Sequence, residues 1–434
     1  MEIEMKILIK NGHVIDPANN INGIMDIFVD KGVISEIGEK LELDGLDMEV
    51  IDAAGKVVVP GLVDMHCHLR EPGYEYKEDI ESGTRAAAAG GITSVACMPN
   101  TKPVTDNAAV ITYIKEKAKE AGYANVYPIG AVSKGLEGKE LAEIGEMRFA
   151  GAVAISDDGR PVTESGLMRR AMEYAKMFDI KVISHCEDIG LANDGYMNEG
   201  AVATAMGLRG ISRASEEVMV SRDIIIAEAI NAPVHIAHIS TRGSVELVRH
   251  AKQRGVAVTC ETCPHYFSLT DKACEGFNTN AKMNPPLRTA DDVQAIKEGL
   301  ADGTIDCIVT DHAPHHIDEK NCEFGYALNG IVGFETSLGL GIKCLVKEGV
   351  LTMEELVRKM SLNPSGILGI SKGTLGEGKA ADITIFDPDK EWTVDVSKFQ
   401  SKSKNSPYDG WQLYGKPEYV ILGGEIIVNQ GVIL

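Results

Sequence analysis

Eight short runs of apolar residues lie between residues 57 and 370, and they constrain the fold more than any other feature. Near-continuous apolar runs of this length are typical of strands buried on both faces of a parallel sheet. Segments with helical spacing, such as KEDIESGTRAAAAGG and SVELVRHAKQRG, lie between them. The pattern predicts an α/β fold built on a (β/α)₈ TIM barrel, with a doubly wound open sheet as the alternative. The runs are VPGLVDMHCH, GITSVACMPN, ANVYPIGAVS, GAVAISDDG, IKVISHCED, APVHIAHIS, GVAVTCETCPHY and IDCIVTDHAP.

Both ends of the chain differ from the middle in their sequence pattern. KILIKNGHVID, DIFVDKGVISEIG and MEVIDAAGKVVVPG are β-type runs separated by turn residues, and PEYVILGGEIIVNQGVIL near the end is typical of a hairpin. We therefore expect a small β-sandwich domain formed by the N- and C-terminal segments. The predicted division is 1–56 and 371–434 for this domain and 57–370 for the barrel.

Composition excludes several classes of function. The chain has 43 Lys and Arg against 64 Asp and Glu, a formal net charge of −21, so we expect no binding to nucleic acid or to an anionic membrane surface. No apolar run approaches the ~18 residues of a spanning helix, and the N-terminus lacks the features of a signal peptide. Nine scattered cysteines are typical of reduced thiols, and we expect a cytoplasmic protein. Cys260 and Cys263 form a lone C-x-x-C, which favours two strand residues over a redox or zinc pair.

Histidines cluster where the apolar runs end. Of the 11 histidines, all but His13 and His250 lie at or just after these ends, which is the face of a parallel barrel where catalysis occurs. His66 and His68 are two residues apart on a strand, so both imidazoles point the same way and can reach one metal ion.

Further candidate ligands close four other runs. His185 ends the fifth run, His238 the sixth and Asp311 the eighth, while Asp157 and Asp158 together end the fourth. An isolated aspartate at such a place is more often a helix cap or a turn residue. That explanation would have to hold at several strands at once, so the pattern favours a metal site. His235 lies deeper in its strand, and we expect it to pack or to bond locally.

The motifs HCHLREPG, MPNT, SDDG, SHCED, AHIS, MNPPLR and TDHAPH, with GEGKAADITIFD near the end, span essentially the whole chain. In these motifs the chain resembles the dihydroorotases of the amidohydrolase superfamily, of the type without a carboxylated lysine, since SDDG offers none. The resemblance implies two zinc ions bridged by a hydroxide that acts as the nucleophile. It implies the ligands His66, His68 and Asp311 for the first ion, His185 and His238 for the second, and Asp158 as the bridging acid, with Asp157 as the less favoured alternative.

The resemblance also implies the reaction, which is the reversible closure of N-carbamoyl-L-aspartate to L-dihydroorotate and water in de novo pyrimidine biosynthesis. Asp311 is expected to act as general acid and base, because a carboxylate facing the hydroxide can take its proton and return it to the leaving nitrogen. Arg70 can offer a bidentate fork to the second carboxylate of the substrate. The other implied substrate contacts are His68, Asn100, Asn284, His315, Asn329 and Gly330.

Two further expectations concern dynamics and partners. The polar segment from His312 to Gly330 contains glycine and is long enough to act as a lid that orders when ligand binds. The resemblance implies a homodimer and, as a further partner, aspartate transcarbamoylase.

Two alternatives to this function stay open. One is another cyclic amidohydrolase activity, such as the opening of hydantoin or allantoin, whose substrates lack the carboxylate that Arg70 would bind. The other is an inactive barrel that serves as a scaffold for a transcarbamoylase, although such a barrel would be expected to have lost ligand positions.

Overall fold

A computed structural model describes residues 6–43 and 47–434, so the first residues of the N-terminal segment, which bear on the signal-peptide prediction, lie outside the described part. The first five strands of the chain belong to a sheet built from both termini. Their alternating or continuous apolar residues form its inner face. They are β1 (Ile7–Asp16), β2 (Ile21–Asp30), β3 (Val33–Gly38), β4 (Glu49–Asp52) and β5 (Val57–Pro60).

The middle of the chain alternates strands and helices. Eight of its strands coincide with the eight apolar runs, and a separate short pair, β11 with β12, lies in a loop. The strands are β6 (Leu62–Cys67), β7 (Ile92–Cys97), β8 (Asn125–Pro128), β9 (Ala154–Ile155), β10 (Lys181–Ser184), β11 (Met197–Asn198), β12 (Gly210–Ile211), β13 (Val234–Ile236), β14 (Val258–Thr262) and β15 (Cys307–Ile308).

The helices of this region surround the strands. Side-chain caps define several of their N-termini, as where Asp79 accepts a hydrogen bond from the backbone of Ser82 and Asn107 accepts two from the first turn of its helix. The helices are α1 (Ile80–Ala89), α2 (Ala108–Ala121), α3 (Ile144–Ala150), α4 (Ser165–Met177), α5 (Ile189–Ala192), α6 (Ala201–Met206), α7 (Ala214–Ile230), α8 (Arg242–Gln253), α9 (Pro264–Ser268), α10 (Ala290–Ala301), α11 (Ile317–Lys320), α12 (Phe334–Gly341), α13 (Met353–Val357) and α14 (Asn363–Leu368).

The eight barrel strands are all parallel and close into a ring. Strands β6, β7 and β8 form one continuous ladder, and β9, β10, β13, β14 and β15 form another. Parallel bridges between Gly130 and Ile155 and between Cys67 and His312 join the two ladders at both seams. The predicted TIM barrel is confirmed. Since every strand runs the same way, all eight carboxyl ends open at one face.

The C-terminal strands return to the N-terminal sheet. Strand β16 pairs antiparallel with β5, so the order is β21-β20-β19-β16-β5-β1-β2-β3, with β4 beside β1. A bridge between Val33 and Ala380 brings the edge strand β3 back beside the segment before β16, so the sheet curls around a core of its own. The predicted joint β domain of both termini is confirmed. The C-terminal strands are β16 (Ile383–Phe386), β17 (Glu391–Thr393), β18 (Gln412–Tyr414), β19 (Pro417–Leu422), β20 (Glu425–Asn429) and β21 (Val432–Ile433). Of these, β17 and β18 form a separate two-stranded sheet.

The division at 56 and 370 stays a prediction, although β5 hydrogen-bonds within the terminal sheet and the first barrel strand begins at Leu62.

All nine cysteines are free, and eight of them, with Cys260 and Cys263 among them, are buried. Among the described residues, none of the helices combines the length and the apolar character needed to cross a membrane.

Candidate active site

A cavity of about 220 Å³ opens at the carboxyl ends of the barrel strands. Of the twelve residues predicted from the sequence as ligands or substrate contacts, eleven line it, and the twelfth, His66, lies fully buried beneath it. The lining residues are His68, Arg70, Asn100, Asp158, Gly159, His185, His238, Asn284, Asp311, Ala313, His315, Leu328, Asn329 and Gly330.

Four imidazoles converge on the carboxylate of Asp158. Its Oδ1 lies 3.3 Å from His66 Nε2, 3.4 Å from His238 Nε2 and 3.5 Å from His185 Nδ1. Its Oδ2 lies 3.4 Å from His68 Nε2. The six predicted ligands come from five separate strand ends, and Asp158 is the common neighbour of the four histidines.

Asp311 closes the other side of this cluster. Its Oδ1 is 3.1 Å from His68 Nε2 and 3.6 Å from His66 Nε2. Two sets of three ligand atoms each lie within 4.8 Å of one another, one from His66, His68 and Asp311 and one from His66, Asp158 and His238. Distances of this size between ligand atoms allow a single cation to contact all three members of a set.

Hydrogen bonds at Nδ1 orient two of the candidate ligand rings. His66 Nδ1 donates to Glu261 Oε1 at 2.5 Å and His68 Nδ1 donates to Asn100 Oδ1 at 2.9 Å, which turns each Nε2 atom toward the cluster. His66 Nε2 and Asp158 Oδ1 are both buried without a hydrogen-bond partner. Buried polar atoms are normally paired, so two such atoms facing each other fit a bound cation.

Charge supports the same conclusion. Burial by itself opposes ionisation of Asp158, but the surrounding imidazoles, His66 foremost, hold the pKa of its carboxyl well below its usual range. The pKa of Asp311 is also lowered against the effect of burial, by the hydrogen bond from His68 and the field of the imidazoles. Two ionised carboxylates beside four imidazoles form a ligand set that suits zinc.

The two adjacent aspartates of the fourth strand have different roles. Asp157 turns away from the cluster and accepts hydrogen bonds from the backbone of Val132 and Ser133 and from the Ser133 hydroxyl, at 2.8, 3.0 and 2.5 Å. Asp158 makes no such contact with its carboxylate and faces the histidines. The geometry favours Asp158 over Asp157 as a ligand.

Glu261 is a functional candidate that the sequence reasoning missed. Its carboxylate is fully buried, accepts from His66 and lies 3.1 Å from His235 Nε2, and His235 Nδ1 in turn lies 2.8 Å from Thr259 Oγ1. His235 therefore bonds locally, as expected from its place in the strand. The available signal was an acidic residue inside the apolar run VTCETC, because a buried carboxylate requires a partner.

The opposite end of the cavity is formed by Arg70 and His315. Arg70 is 9% exposed, and its Nε donates to the carbonyl of Pro314 at 3.1 Å, which leaves the guanidinium fork beside His315. Burial, with the fields of Arg70 and Lys77, holds the pKa of His315 well below its usual value, so the ring is neutral. Its Nε2 donates to the carbonyl of Asn329 at 2.8 Å.

Two predicted contacts make hydrogen bonds inside the site. Asn100 accepts from the candidate ligand His68, and Asn284 donates to both carboxylate oxygens of Glu187 at 3.2 Å. Three of the cavity residues, Arg70, His238 and Asp311, have φ angles of 65°, 32° and 48°. Residues other than glycine seldom adopt this left-handed backbone conformation, because it is strained. It persists only where the surrounding structure holds it, and such positions are concentrated at functional sites.

Known proteins are similar to this chain along nearly its full length. The family model described as Dihydro-orotase-like matches residues 55–244. A protein named dihydroorotase from Acetivibrio thermocellus is 64% identical over 427 residues, which cover 98% of this chain and 100% of that one. Another, from Ruminiclostridium cellulolyticum, is 61% identical over 430 residues, covering 99% and 100%.

Solved structures show the same architecture. An L-hydantoinase (dihydropyrimidinase) from Arthrobacter aurescens has a TM-score of 0.89 at 27% sequence identity, over 99% of this chain and 97% of that one. Two relatives with the same name are thus at least 61% identical to this chain over nearly its full length. The chain belongs to the dihydroorotase family.

Proposed function

We propose that this protein catalyses the reversible cyclisation of N-carbamoyl-L-aspartate to L-dihydroorotate and water. One observation carries the proposal: the cavity has a cluster of candidate metal ligands at one end and a buried arginine beside His315 at the other. The substrate has matching ends, since the carboxylate and ureido nitrogen that react lie on one side and a second, unreactive carboxylate lies on the other.

The residues that would hold zinc are those of the cluster. His66, His68 and Asp311 would bind one ion, His185 and His238 a second, and Asp158 both. When bound, a pair of such ions polarises a carbonyl group and activates water at neutral pH. The hydrogen bonds from His66 to Glu261 and from His68 to Asn100 hold these rings in the tautomer that a metal needs.

Asp311 moves the proton. In the ring-opening direction its carboxylate takes a proton from the attacking water and delivers it to the ring nitrogen as the amide bond breaks. In the cyclising direction the same group donates the proton that leaves with the departing oxygen. Because one residue serves both directions, it has to be deprotonated at the start of ring opening, and the lowered pKa of Asp311 supports this.

Arg70 binds the unreactive carboxylate. A guanidinium presents two parallel N–H groups that match the two oxygens of a carboxylate, and a buried position strengthens the pair. The neutral ring of His315 and the backbone of Asn329 and Gly330 lie beside it and complete the recognition of this end. Hydantoin lacks the carboxylate and would leave the guanidinium without a partner, which costs binding free energy.

The decisive experiment compares L-dihydroorotate with unsubstituted hydantoin, using the zinc-supplemented protein. We expect turnover of dihydroorotate and a much lower kcat/KM for hydantoin. A preference for hydantoin would instead support a hydantoinase-like enzyme, and no turnover of either substrate by protein that holds zinc would support an inactive scaffold.

Asp311→Asn should lose at least about 10²-fold in kcat. Metal analysis of the same sample separates this loss from loss of zinc.

The reaction also has a pH signature. Cyclisation converts an ionised carboxylate into a neutral acyl group and so consumes one proton. The equilibrium ratio of dihydroorotate to carbamoyl aspartate should fall by about tenfold per pH unit from mildly acidic to mildly alkaline buffer. A ratio that stays constant over this range would contradict the stoichiometry.

A cytoplasmic location, a homodimer and a complex with aspartate transcarbamoylase belong to the same proposal. Family membership supports them. Sedimentation of the purified protein, alone and mixed with a transcarbamoylase, tests the two assemblies.

A further inference from the structure

A segment from the C-terminal part of the chain, residues 399–408, crosses the catalytic face of the barrel. The hydroxyl of Ser401 donates to the buried carboxylate of Glu78, and that of Ser403 donates to the carbonyl of Lys77 at 2.7 Å. The segment is therefore fastened to the loop before α1. It lies far in sequence from every residue of the cavity.

Asn405, within this segment, reaches the loops that line the cavity. Its side-chain nitrogen donates to the carbonyls of Ala313 and Gly330, both at 3.0 Å, and its side-chain oxygen accepts from the backbone N–H of His315 at 3.1 Å. Its own carbonyl accepts from the backbone of Val332 at 2.9 Å. The side chain is 4% exposed, and every donor and acceptor it has is used within the protein.

These contacts join two separate stretches of backbone. One stretch carries His315 and supplies the Pro314 carbonyl that holds Arg70, and the other carries Asn329 and Gly330. They approach so closely that a Cβ at Gly330, where φ is 132°, would lie 2.7 Å from the Cβ of Ala313. The planar amide of Asn405 bridges the two stretches, in addition to the direct hydrogen bond from the Ala313 N–H to the carbonyl of Ile331 at 2.7 Å.

We propose that Asn405 is a positioning residue for the recognition of the substrate's unreactive carboxylate. The inference rests on the proposed function and adds to it a residue outside the cavity lining. Asn405 does not touch the substrate. It fixes the relative position of His315, of the Pro314 carbonyl that orients Arg70, and of the backbone at Gly330. Its loss should weaken contacts that are made equally to the substrate and to the transition state, which raises KM more than it lowers kcat.

The test uses Asn405→Asp and Asn405→Ser in the full-length, zinc-loaded protein. Aspartate has the shape of asparagine but, when ionised, no N–H to donate to the two carbonyls, whereas serine is uncharged and too short to join both stretches. We expect KM for L-dihydroorotate to rise about tenfold or more, with kcat within about threefold of wild type and with unchanged zinc content. Tyr408→Phe is the matched control. It removes one buried hydrogen bond of the same segment, from Tyr408 to Ser268, and should leave KM unchanged.

The outcomes are distinct. Folded Asn405 variants with wild-type KM, or with kcat reduced and KM unchanged, overturn the inference while the proposed function stands. If neither variant folds, Asn405 supports the fold as a whole and not these loops in particular, and the inference is overturned as well. Wild-type protein that binds zinc but does not turn over dihydroorotate overturns the proposed function, and the inference falls with it.

Discussion

Two adjacent aspartates show how one residue step along the chain changes a function. Asp157 satisfies three donors from residues 132 and 133, and Asp158 faces four imidazoles. The strand pattern places one of the two toward the cavity. Asp157 is a support for the loop after β8, and Asp158 is the centre of the ligand cluster.

Asp157→Ala and Asp158→Ala should therefore have different effects. Asp158→Ala should lose most of its bound metal on dialysis, because Asp158 is the proposed ligand of both ions. Asp157→Ala should keep its metal but lose about 2 kcal/mol of unfolding free energy, since buried backbone donors lose their acceptor. Metal analysis and urea unfolding measure the two effects. Equal metal loss in both variants would contradict the assignment.

Glu261 is expected to act on the metal through His66. Glu261→Gln weakens the acceptor for His66 Nδ1, which should lower zinc affinity by about 10- to 100-fold in competition with a chelator. Glu216→Gln is the matched control, since Glu216 is also a buried carboxylate but bonds to Ser240 and Arg288. Similar affinity in the two variants would remove Glu261 from this role.

At the scale of elements, the loop between β15 and α12 is held down by two buried lysines. Lys282 donates to the carbonyls of Phe324, Gly325 and Ala327, at 2.7, 3.1 and 2.7 Å. Lys320 donates to those of Lys282, Leu328 and Gly330, at 3.3, 2.7 and 3.1 Å. An ammonium group has three donors, so each lysine can close one turn of the loop over the cavity.

Lys320→Met should loosen this loop without unfolding the barrel. Methionine fills similar space but has no donor, so three carbonyls lose their partner and cleavage within residues 321–329 should be about tenfold faster or more. Limited proteolysis with mass spectrometry locates the cuts, and added dihydroorotate should slow them if the segment acts as the predicted lid. Lys359→Met is the control, because Lys359 is also buried and donates to the carbonyl of Ile305, outside this loop. Equal cleavage of wild type and Lys320→Met would contradict this prediction.

At the scale of the whole molecule, Asp382 joins the barrel to the terminal sheet. Its carboxylate accepts from Lys372, from the side chain of Asn125 in β8 and from the backbone of Gly423, at 2.6, 3.1 and 2.8 Å. It lies within GEGKAADITIFD, one of the motifs in which the chain resembles amidohydrolases. The motif therefore has a structural explanation at the junction of the two parts, away from the cavity.

Asp382→Ala should lower the unfolding free energy by about 3 kcal/mol, because a nearly buried lysine loses its counter-charge. KM for dihydroorotate should not change. Asp389→Ala is the control: Asp389 pairs with Lys347 on the surface, and its removal should change stability by less than about 1 kcal/mol. Denaturant unfolding, with assays on the same samples, measures both quantities. If the two variants lose the same unfolding free energy, Asp382 does not hold the barrel and the terminal sheet together.

Much of the fold was predictable because it depends on local patterns. A buried parallel strand is apolar along its length, and in this fold the functional residues follow its carboxyl end. The eight runs therefore predicted both the number of strands and the face of the barrel where the site lies. His66 and His68 were predictable as a pair for the same reason, since alternation along a strand makes them point together.

The tertiary structure alone decided which side chains support that chemistry. Glu261 meets His66 across 195 residues of sequence, and the side chain of Asn405 reaches Ala313 across 92. Such contacts follow from closure of the barrel and from the path of a surface segment, and no local periodicity encodes them. Local sequence patterns were sufficient to predict the strands and the residues at their ends. The folded chain decided which of these residues face one another, because the free energy of a buried polar group depends on the partner that the whole structure brings to it.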